Sequence, residues 1–426
     1  MTLRVGVAGL GTVGAGVLRL LAENAGIVAA RAGRQVRVTA VSARDKSRDR
    51  GVSLAGMTWF DDPVALAAAD VDVVVELIGG SEGPAKALVA ACIAAGKPVV
   101  TANKALLAVH GAALAAAAEA AGVYVGFEAA VAGGIPIIKA LREGLAANRI
   151  SRVAGILNGT CNYILTVMRE ERREFADVLA DAQALGYAEA DPSFDIDGVD
   201  AAHKLAILAA LAFGGPVDFA AVHVEGIRRI SALDIAFAEE LGYRIKLLGI
   251  ARETPGGVEL RVHPAMVPKA ALLAAVDGVF NAVLLEGDFV GPVFLQGRGA
   301  GAGPTASAVV ADLIDFARGA RVPMFGTAGA RGARHEVTIG EHAGAYFLRL
   351  MVVDQPGVLA DVTAVLRDNG ISLESMLQHG RKPGEAVPIV LVTHETNEAA
   401  VARAMARIGA LEAVLEPPAV IRIEPR

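Results

Sequence analysis

Leu3-Arg4-Val5-Gly6-Val7-Ala8-Gly9-Leu10-Gly11-Thr12-Val13-Gly14 runs from an apolar segment straight into G-x-G-x-x-G, and the stretch after it, 13–21, is rich in leucine, alanine and valine. That order reads as strand, tight turn and helix. The first glycine permits the turn, the second lets a pyrophosphate approach the backbone, and the third lets helix and strand pack closely. The unpaired N–H groups at the helix start then face the phosphates. Gly9, Gly11, Thr12, Val13 and Gly14 are therefore the candidate dinucleotide-binding residues.

Outward from this turn, short apolar runs at 35–42, 71–78, 98–101 and 123–127 alternate with helical stretches at 63–69, 84–95 and 112–121. The alternation predicts a doubly wound α/β domain with a parallel sheet. In such a sheet the adenosine ribose sits at the end of the second strand, here Val41-Ser42-Ala43-Arg44-Asp45-Lys46. Ser42, Arg44 and Lys46 can donate to a 2′-phosphate, which favours NADP; NAD stays open, because Asp45 or Asp49 can meet a 2′-hydroxyl instead. Thr101-Ala102-Asn103-Lys104 follows the strand that begins at Pro98, at the carboxyl edge where ligands bind. Lys104 there reaches a substrate or nicotinamide, or else Asn103 simply caps a helix beside a surface lysine.

From about residue 150 the text changes to a strand at 153–157, helices at 177–185 and 200–213, and strands at 243–252 and 258–262, a second α/β unit. A Gly-rich stretch at 297–303 precedes a helix at 305–318, and 319–333 reads as a linker. The last eighty residues predict a strand at 346–353, a helix opened by Gly357, a strand at 371–377, a turn at Lys382-Pro383-Gly384, a strand at 388–393, a helix after Asn397 and a strand at 419–423. This βαββαβ order is ferredoxin-like.

A chain of 426 residues suits two to four domains. Its 46 acidic against 40 basic residues, with no Lys/Arg-rich block, lack the footprint of a nucleic-acid or anionic-membrane surface, so a small-molecule partner is expected. The longest stretch free of Asp, Glu, Lys and Arg, 153–168, contains Asn158, Thr160 and Asn162 and does not suit a membrane span. Met1 leads directly into the first strand without a secretory pattern, from which a cytoplasmic protein is expected. Cys92 and Cys161 are the only two cysteines, in apolar surroundings that suit inert core thiols.

The densest polar cluster is Gly186-Tyr187-Ala188-Glu189-Ala190-Asp191-Pro192-Ser193-Phe194-Asp195-Ile196-Asp197-Gly198-Val199-Asp200-Ala201-Ala202-His203-Lys204. A calcium loop is rejected: with Gly198 at the sixth loop position, Lys204 falls where a bidentate carboxylate is required. Asp200 and Lys204 lie one helical turn apart, either as a tunable proton donor or as a plain i,i+4 ion pair, and spacing alone does not separate the two. His203 points elsewhere on the helix and reads as structural.

Together these segments resemble homoserine dehydrogenase in its long bacterial form with a C-terminal ACT domain. The resemblance rests on Gly9–Gly14, Thr101–Lys104, Phe127-Glu128-Ala129-Ala130-Val131-Ala132-Gly133-Gly134-Ile135-Pro136, Gly155-Ile156-Leu157-Asn158-Gly159-Thr160, Gly299-Ala300-Gly301 with Pro304-Thr305-Ala306-Ser307-Ala308, and above all the run from Leu185 to Lys204. It implies reversible NAD(P)-dependent interconversion of L-homoserine and L-aspartate 4-semialdehyde, on the route to threonine and methionine. Carried over by position, it makes Lys204 the proton donor or acceptor and Asp200 its orienting partner and a substrate contact. Glu189 becomes the ligand of the substrate amino group, and Lys104 a neighbour of nicotinamide and substrate. Gly301 falls in the segment that returns to the nucleotide domain. Glu128 with the backbone of Val131, Gly133 and Ile135 resembles a structural sodium site.

The resemblance further implies a nucleotide-binding domain at 1–140 with 300–320 packing back on it, a catalytic and dimerisation domain at 141–299, a linker at 321–344 and an ACT regulatory domain at 345–426. That last domain would bind threonine or a related effector, in a homodimer or homotetramer, and the linker implies that it can be removed from a folded core. Two rival readings are another ACT-bearing dehydrogenase acting on a small hydroxy acid and a non-enzymatic amino-acid sensor. The first lacks a suitable histidine in the nucleotide domain, His110 being unpersuasive. The second is disfavoured by the intact Glu189, Asp200 and Lys204.

Overall fold

The computed structural model describes residues 1–327, 335–379 and 384–424; Lys382 and Pro383 of the expected turn and part of the expected linker lie outside these. Six parallel strands form the first sheet, in the spatial order Thr58–Phe60, Val36–Ser42, Leu3–Ala8, Val73–Glu76, Val99–Thr101 and Val125–Gly126. This is the doubly wound order, which reverses beside the first strand and opens a crevice at the carboxyl ends. The strand Val73–Glu76 is buried along its whole length, as a central parallel strand covered on both faces must be. Asp62 caps the short 3₁₀ turn Pro63–Ala67, where a helix was expected.

The helix Ala302–Ala317 completes this domain from far along the chain. Ala306, Val309 and Leu313 share a core with Leu3, Val5, Val7 and Val17. Contact with the helix Thr12–Glu23 is close enough that a Cβ on Gly16 would lie 2.6 Å from the Ala302 carbonyl oxygen.

The second sheet has twelve strands. Its first half runs Gly291–Arg298, Phe280–Gly287, Ile150–Ile156, Tyr243–Thr254 and Gly257–Pro268, antiparallel throughout. The hairpin Phe280–Gly287 with Gly291–Arg298 and the helices Gly159–Glu171 and Ala232–Glu240 were not foreseen from the sequence. Against this sheet lies the helix Val199–Phe213, buried from Asp200 to Ala210. Lys104–Ala121 is the one helix among the described residues long and apolar enough to span a bilayer, and here Leu106, Leu107 and Leu114 bury its apolar side in the core.

The C-terminal strands continue the same sheet in the order Ala419–Ile423, Ala343–Val353, Ala386–Thr393 and Leu373–Gln378, with the helices Val358–Asp368 and Glu398–Ile408 completing βαββαβ. The two halves join where Ala265 and Met266 pair in parallel with Arg422 and Ile423. Buried charges cross the same seam. Arg261, only 1% exposed, donates to Glu424 Oε1 at 2.5 Å, His342 Nδ1 meets Glu259 Oε1 at 2.6 Å, and Arg349 Nε donates to Asp234 Oδ1 at 2.6 Å. A module detachable at a linker was expected; the last domain shares a sheet and buried ion pairs with the rest, so detachment would break that sheet and leave buried charges uncompensated.

Candidate active site

Asp200 and Lys204 sit in the first turns of Val199–Phe213, which starts after Gly198 in a left-handed conformation (φ 87°). Lys204 is 7% exposed, and its Nζ donates to Asp200 Oδ2 at 2.7 Å and to the Leu157 carbonyl at 2.6 Å. The other Asp200 oxygen lies 3.0 Å from Lys104 Nζ. Asn158 Nδ2 donates to Asp200 and to Asp195, both at 2.8 Å.

These surroundings separate the two lysines. Burial lowers the Lys204 pKa below the ordinary lysine value, with Lys104 acting the same way and Asp200 only partly opposing. Burial also acts against the Lys104 ammonium, but Asp200, Asp195 and Glu189 outweigh it and its pKa is raised. Asp200 suffers the burial penalty yet is held well below the usual carboxylate range by Lys204 and Lys104, whereas burial and Asp200 push Asp195 up. A cation and an anion each favoured in the charged form, and a lysine whose charged form burial disfavours, thus share one site.

Lys104 and Lys204 line a cavity of about 280 Å³ between the two sheets, together with Val13, Gly133, Gly301 and Thr305. The glycine loop meets the requirements of a dinucleotide. Gly9 adopts φ 98°, and a Cβ there would lie 2.5 Å from the Leu77 carbonyl oxygen; one on Gly14 would lie 2.1 Å from the Gly9 carbonyl oxygen. A Cβ on Gly11 would meet nothing within 4 Å, so the backbone there is open to a phosphate.

Ser42 is buried, its carbonyl accepting from Gly9 N at 2.8 Å, and Arg44 is exposed. Arg50, which sequence reading passed over, donates to the Leu10 carbonyl at 3.2 Å and lies over the Trp59 ring beside Lys46. Glu76 was also missed, although an acid closing an apolar strand at the ligand edge is a visible signal. It is fully buried and accepts from Ile78 N, Gly79 N and Thr101 Oγ1, so it shapes two loops at the cavity. Asn103 does cap its helix, accepting from Leu106 N, and its Nδ2 also donates to the Gly80 carbonyl.

Glu189 is exposed and does not line the cavity; its charge nonetheless bears on Lys104. His203 sits between the Phe194 and Phe219 rings, in keeping with a structural place. Glu128 is buried, accepting from Ile138 N and Lys139 N, each at 2.9 Å, and burial with Asp312 nearby raises its pKa to about 7. Ala132 and Gly133 both take positive φ, and the Ile135 carbonyl accepts from Ile137 N.

Three family models match the chain: "Homoserine dehydrogenase, NAD binding domain" at residues 9–128, "Homoserine dehydrogenase" at 136–314 and "ACT domain" at 346–413. The homoserine dehydrogenase of Neisseria gonorrhoeae is 50% identical over 428 residues, covering 99% of this chain and 98% of its own. A crystal structure of a homoserine dehydrogenase from Thiobacillus denitrificans is 50% identical, with a TM-score of 0.92 over 100% of this chain and 98% of that one. A hyperthermophilic archaeal homoserine dehydrogenase solved in complex with NADPH is 26% identical, with a TM-score of 0.63 over 74% of this chain and 97% of that one. With a nucleotide crevice, a buried lysine–carboxylate pair opening into it and relatives matching from end to end, the chain belongs to the homoserine dehydrogenase family of NAD(P)-dependent oxidoreductases acting on a CH–OH group.

Proposed function

We propose that Lys204 exchanges the proton of the substrate oxygen as L-homoserine and L-aspartate 4-semialdehyde interconvert, with Asp200 orienting its ammonium. The observation that carries this is the desolvated Lys204 Nζ, 2.7 Å from Asp200 and facing the cavity that the glycine loop also reaches. A bound nicotinamide supplies the hydride acceptor or donor. Lys204 in its neutral form takes the hydroxyl proton when the alcohol is oxidised, and its ammonium returns a proton to the carbonyl oxygen in the reverse direction. Lys104, kept charged by Asp200, holds the substrate beside the nicotinamide, and Glu189, whose charge bears on Lys104, takes the substrate amino group. Following nicotinamide absorbance with homoserine as substrate, in the intact chain and in Lys204→Met, tests the assignment.

NADP is the proposed preferred cofactor. The exposed Arg44 and the neighbouring Lys46 and Arg50 supply cations where a 2′-phosphate would lie, and the archaeal relative was solved with NADPH. For the cation site, Glu128 with the carbonyls of Val131, Gly133 and Ile135 would supply an all-oxygen set suited to a hard monovalent ion such as sodium. The two backbone amides hold the Glu128 carboxylate in place and leave lone pairs for such an ion, whose role would be structural. Feedback by threonine or a related amino acid through the ACT domain, a homodimeric or homotetrameric assembly and a cytoplasmic location complete the proposal.

A further inference from the structure

The ACT domain reaches the catalytic helix through a continuous set of contacts centred on Arg422. This residue belongs to the strand Ala419–Ile423, is 4% exposed and forks between two carboxylates. Its Nη1 and Nη2 donate to Glu225 at 3.0 and 2.8 Å, while Nε and Nη2 donate to Glu398 at 2.8 and 2.6 Å. Such planar, two-sided pairing fixes direction as well as distance. Glu225 opens a segment that lies against the short helix Ser193–Ile196 of the polar cluster. Ile227 N donates to the Ile196 carbonyl at 2.8 Å, and a Cβ on Gly226 would lie 2.2 Å from that same oxygen, so the two backbones touch. Arg228 adds bonds to Asp197 Oδ2 at 3.0 Å and Ser193 Oγ at 2.9 Å. The short helix so held carries Asp195, which shares the Asn158 amide with Asp200.

We propose that Arg422 is a positioning residue for the reaction, holding the Glu225–Arg228 segment against the short helix Ser193–Ile196 so that the Asp200–Lys204 pair stays shielded from water. This rests on the reading that Lys204 exchanges the substrate proton. It also gives the ACT domain a physical route to the chemistry: a shift of its last strand moves Arg422, and through the Ile227–Ile196 backbone bond Asp195 follows, which Asn158 links to Asp200. The charged groups bearing on Lys204 are Asp200, Lys104 and Asp195. Around the clamp stand Glu225, Glu398, His223, His263, Arg261 and Tyr346.

The test compares Arg422→Met, Arg422→Lys and Glu225→Gln in the full chain, with kcat and the substrate and cofactor KM measured across pH. Arg422→Met is expected to lower kcat by roughly tenfold with the NADP KM little changed. Because burial is the largest influence on Lys204, water entering the site should move the limb of kcat that reports it toward higher pH by about half a unit or more. Arg422→Lys should recover part of both effects, and Glu225→Gln, altering the clamp from the catalytic side, should move the same limb in the same direction. A Met variant whose activity falls only with its folded fraction, with the limb unmoved, would reduce Arg422 to a structural residue; so would an unmoved limb in Glu225→Gln if the Met variant does not fold. If Lys204→Met itself keeps turnover, the chemical reading fails and the positioning role falls with it; an inactive Lys204→Met beside unmoved limbs in the clamp variants overturns the positioning role alone.

Discussion

Lys104 and Lys204 reach opposite oxygens of one carboxylate, at 3.0 Å from Asp200 Oδ1 and 2.7 Å from Asp200 Oδ2. One lysine opens the helix Lys104–Ala121 that follows the strand Val99–Thr101 and the other lies on the helix Val199–Phe213, so the contact joins the two domains at the cavity. Asp200 cannot serve both as a mere surface ion pair, because it is 3% exposed and an unpaired charge there would be costly.

Replacing Lys204 by Met should leave the fold and NADP binding intact while removing most turnover, since general acid–base catalysis typically contributes about 10²–10⁴-fold. Steady-state rates with cofactor binding measured by fluorescence separate the two effects. Replacement of the exposed Glu189 by Gln should mainly raise the homoserine KM. Near-normal turnover in Lys204→Met would return Asp200–Lys204 to the plain ion pair that its spacing also allows.

Asp200→Asn removes the anion that opposes the burial penalty on Lys204. The folded Lys204 pKa should fall further, and the limb of alcohol oxidation that requires the neutral amine should move to lower pH, with a smaller loss of kcat than in Lys204→Met. A pH–rate profile that shifts upward or not at all would contradict this electrostatic arrangement.

Arg44→Ala should weaken NADP far more than NAD, because a forked cation is lost from the place of the 2′-phosphate. Equal losses for the two cofactors would mean that the phosphate is read elsewhere, for instance by Arg50 at the Leu10 carbonyl.

Ending the chain before residue 335 removes Glu424 from Arg261, Arg349 from Asp234 and His342 from Glu259. Breaking one buried pair costs about 3–5 kcal/mol, so the truncated chain should be poorly soluble or melt well below the intact one. Calorimetry on both decides it; equal melting temperatures would show the seam to be dispensable.

His263 provides an acid-stability test. Its Nε2 accepts from Arg261 at 2.5 Å and its Nδ1 donates to the Pro264 carbonyl at 2.9 Å, an arrangement that requires the neutral ring. Burial, with Arg261 and Arg422, lowers its pKa from 6.5 to about 3. The unfolded chain therefore binds a proton below about pH 6.5 that the folded chain refuses, and stability should fall from there by up to about 1.4 kcal/mol per pH unit. His203, lowered by burial, acts in the same direction. Urea titrations should show His263→Gln flattening this slope; an unchanged slope would place the acid sensitivity elsewhere.

The nucleotide domain was legible because its signals are local. A strand, a glycine turn and a helix follow one another within 3–21, and the βαββαβ order of the last domain declares itself through turn residues and apolar spacing. The one-turn spacing of Asp200 and Lys204 was equally visible. Tertiary structure alone decided what that spacing means, because Asn158, Leu157 and Lys104, all distant in sequence, turn an i,i+4 pair into a dry site with one lysine lowered and the other raised. The seam was likewise invisible beforehand: a linker composition suggested a detachable domain, whereas pairing of Ala265 with Arg422 depends on an edge strand and a terminal strand meeting across 157 residues that carry no periodic trace of it. Local pattern reports backbone preference, and burial at a distance sets the charge states on which the chemistry depends.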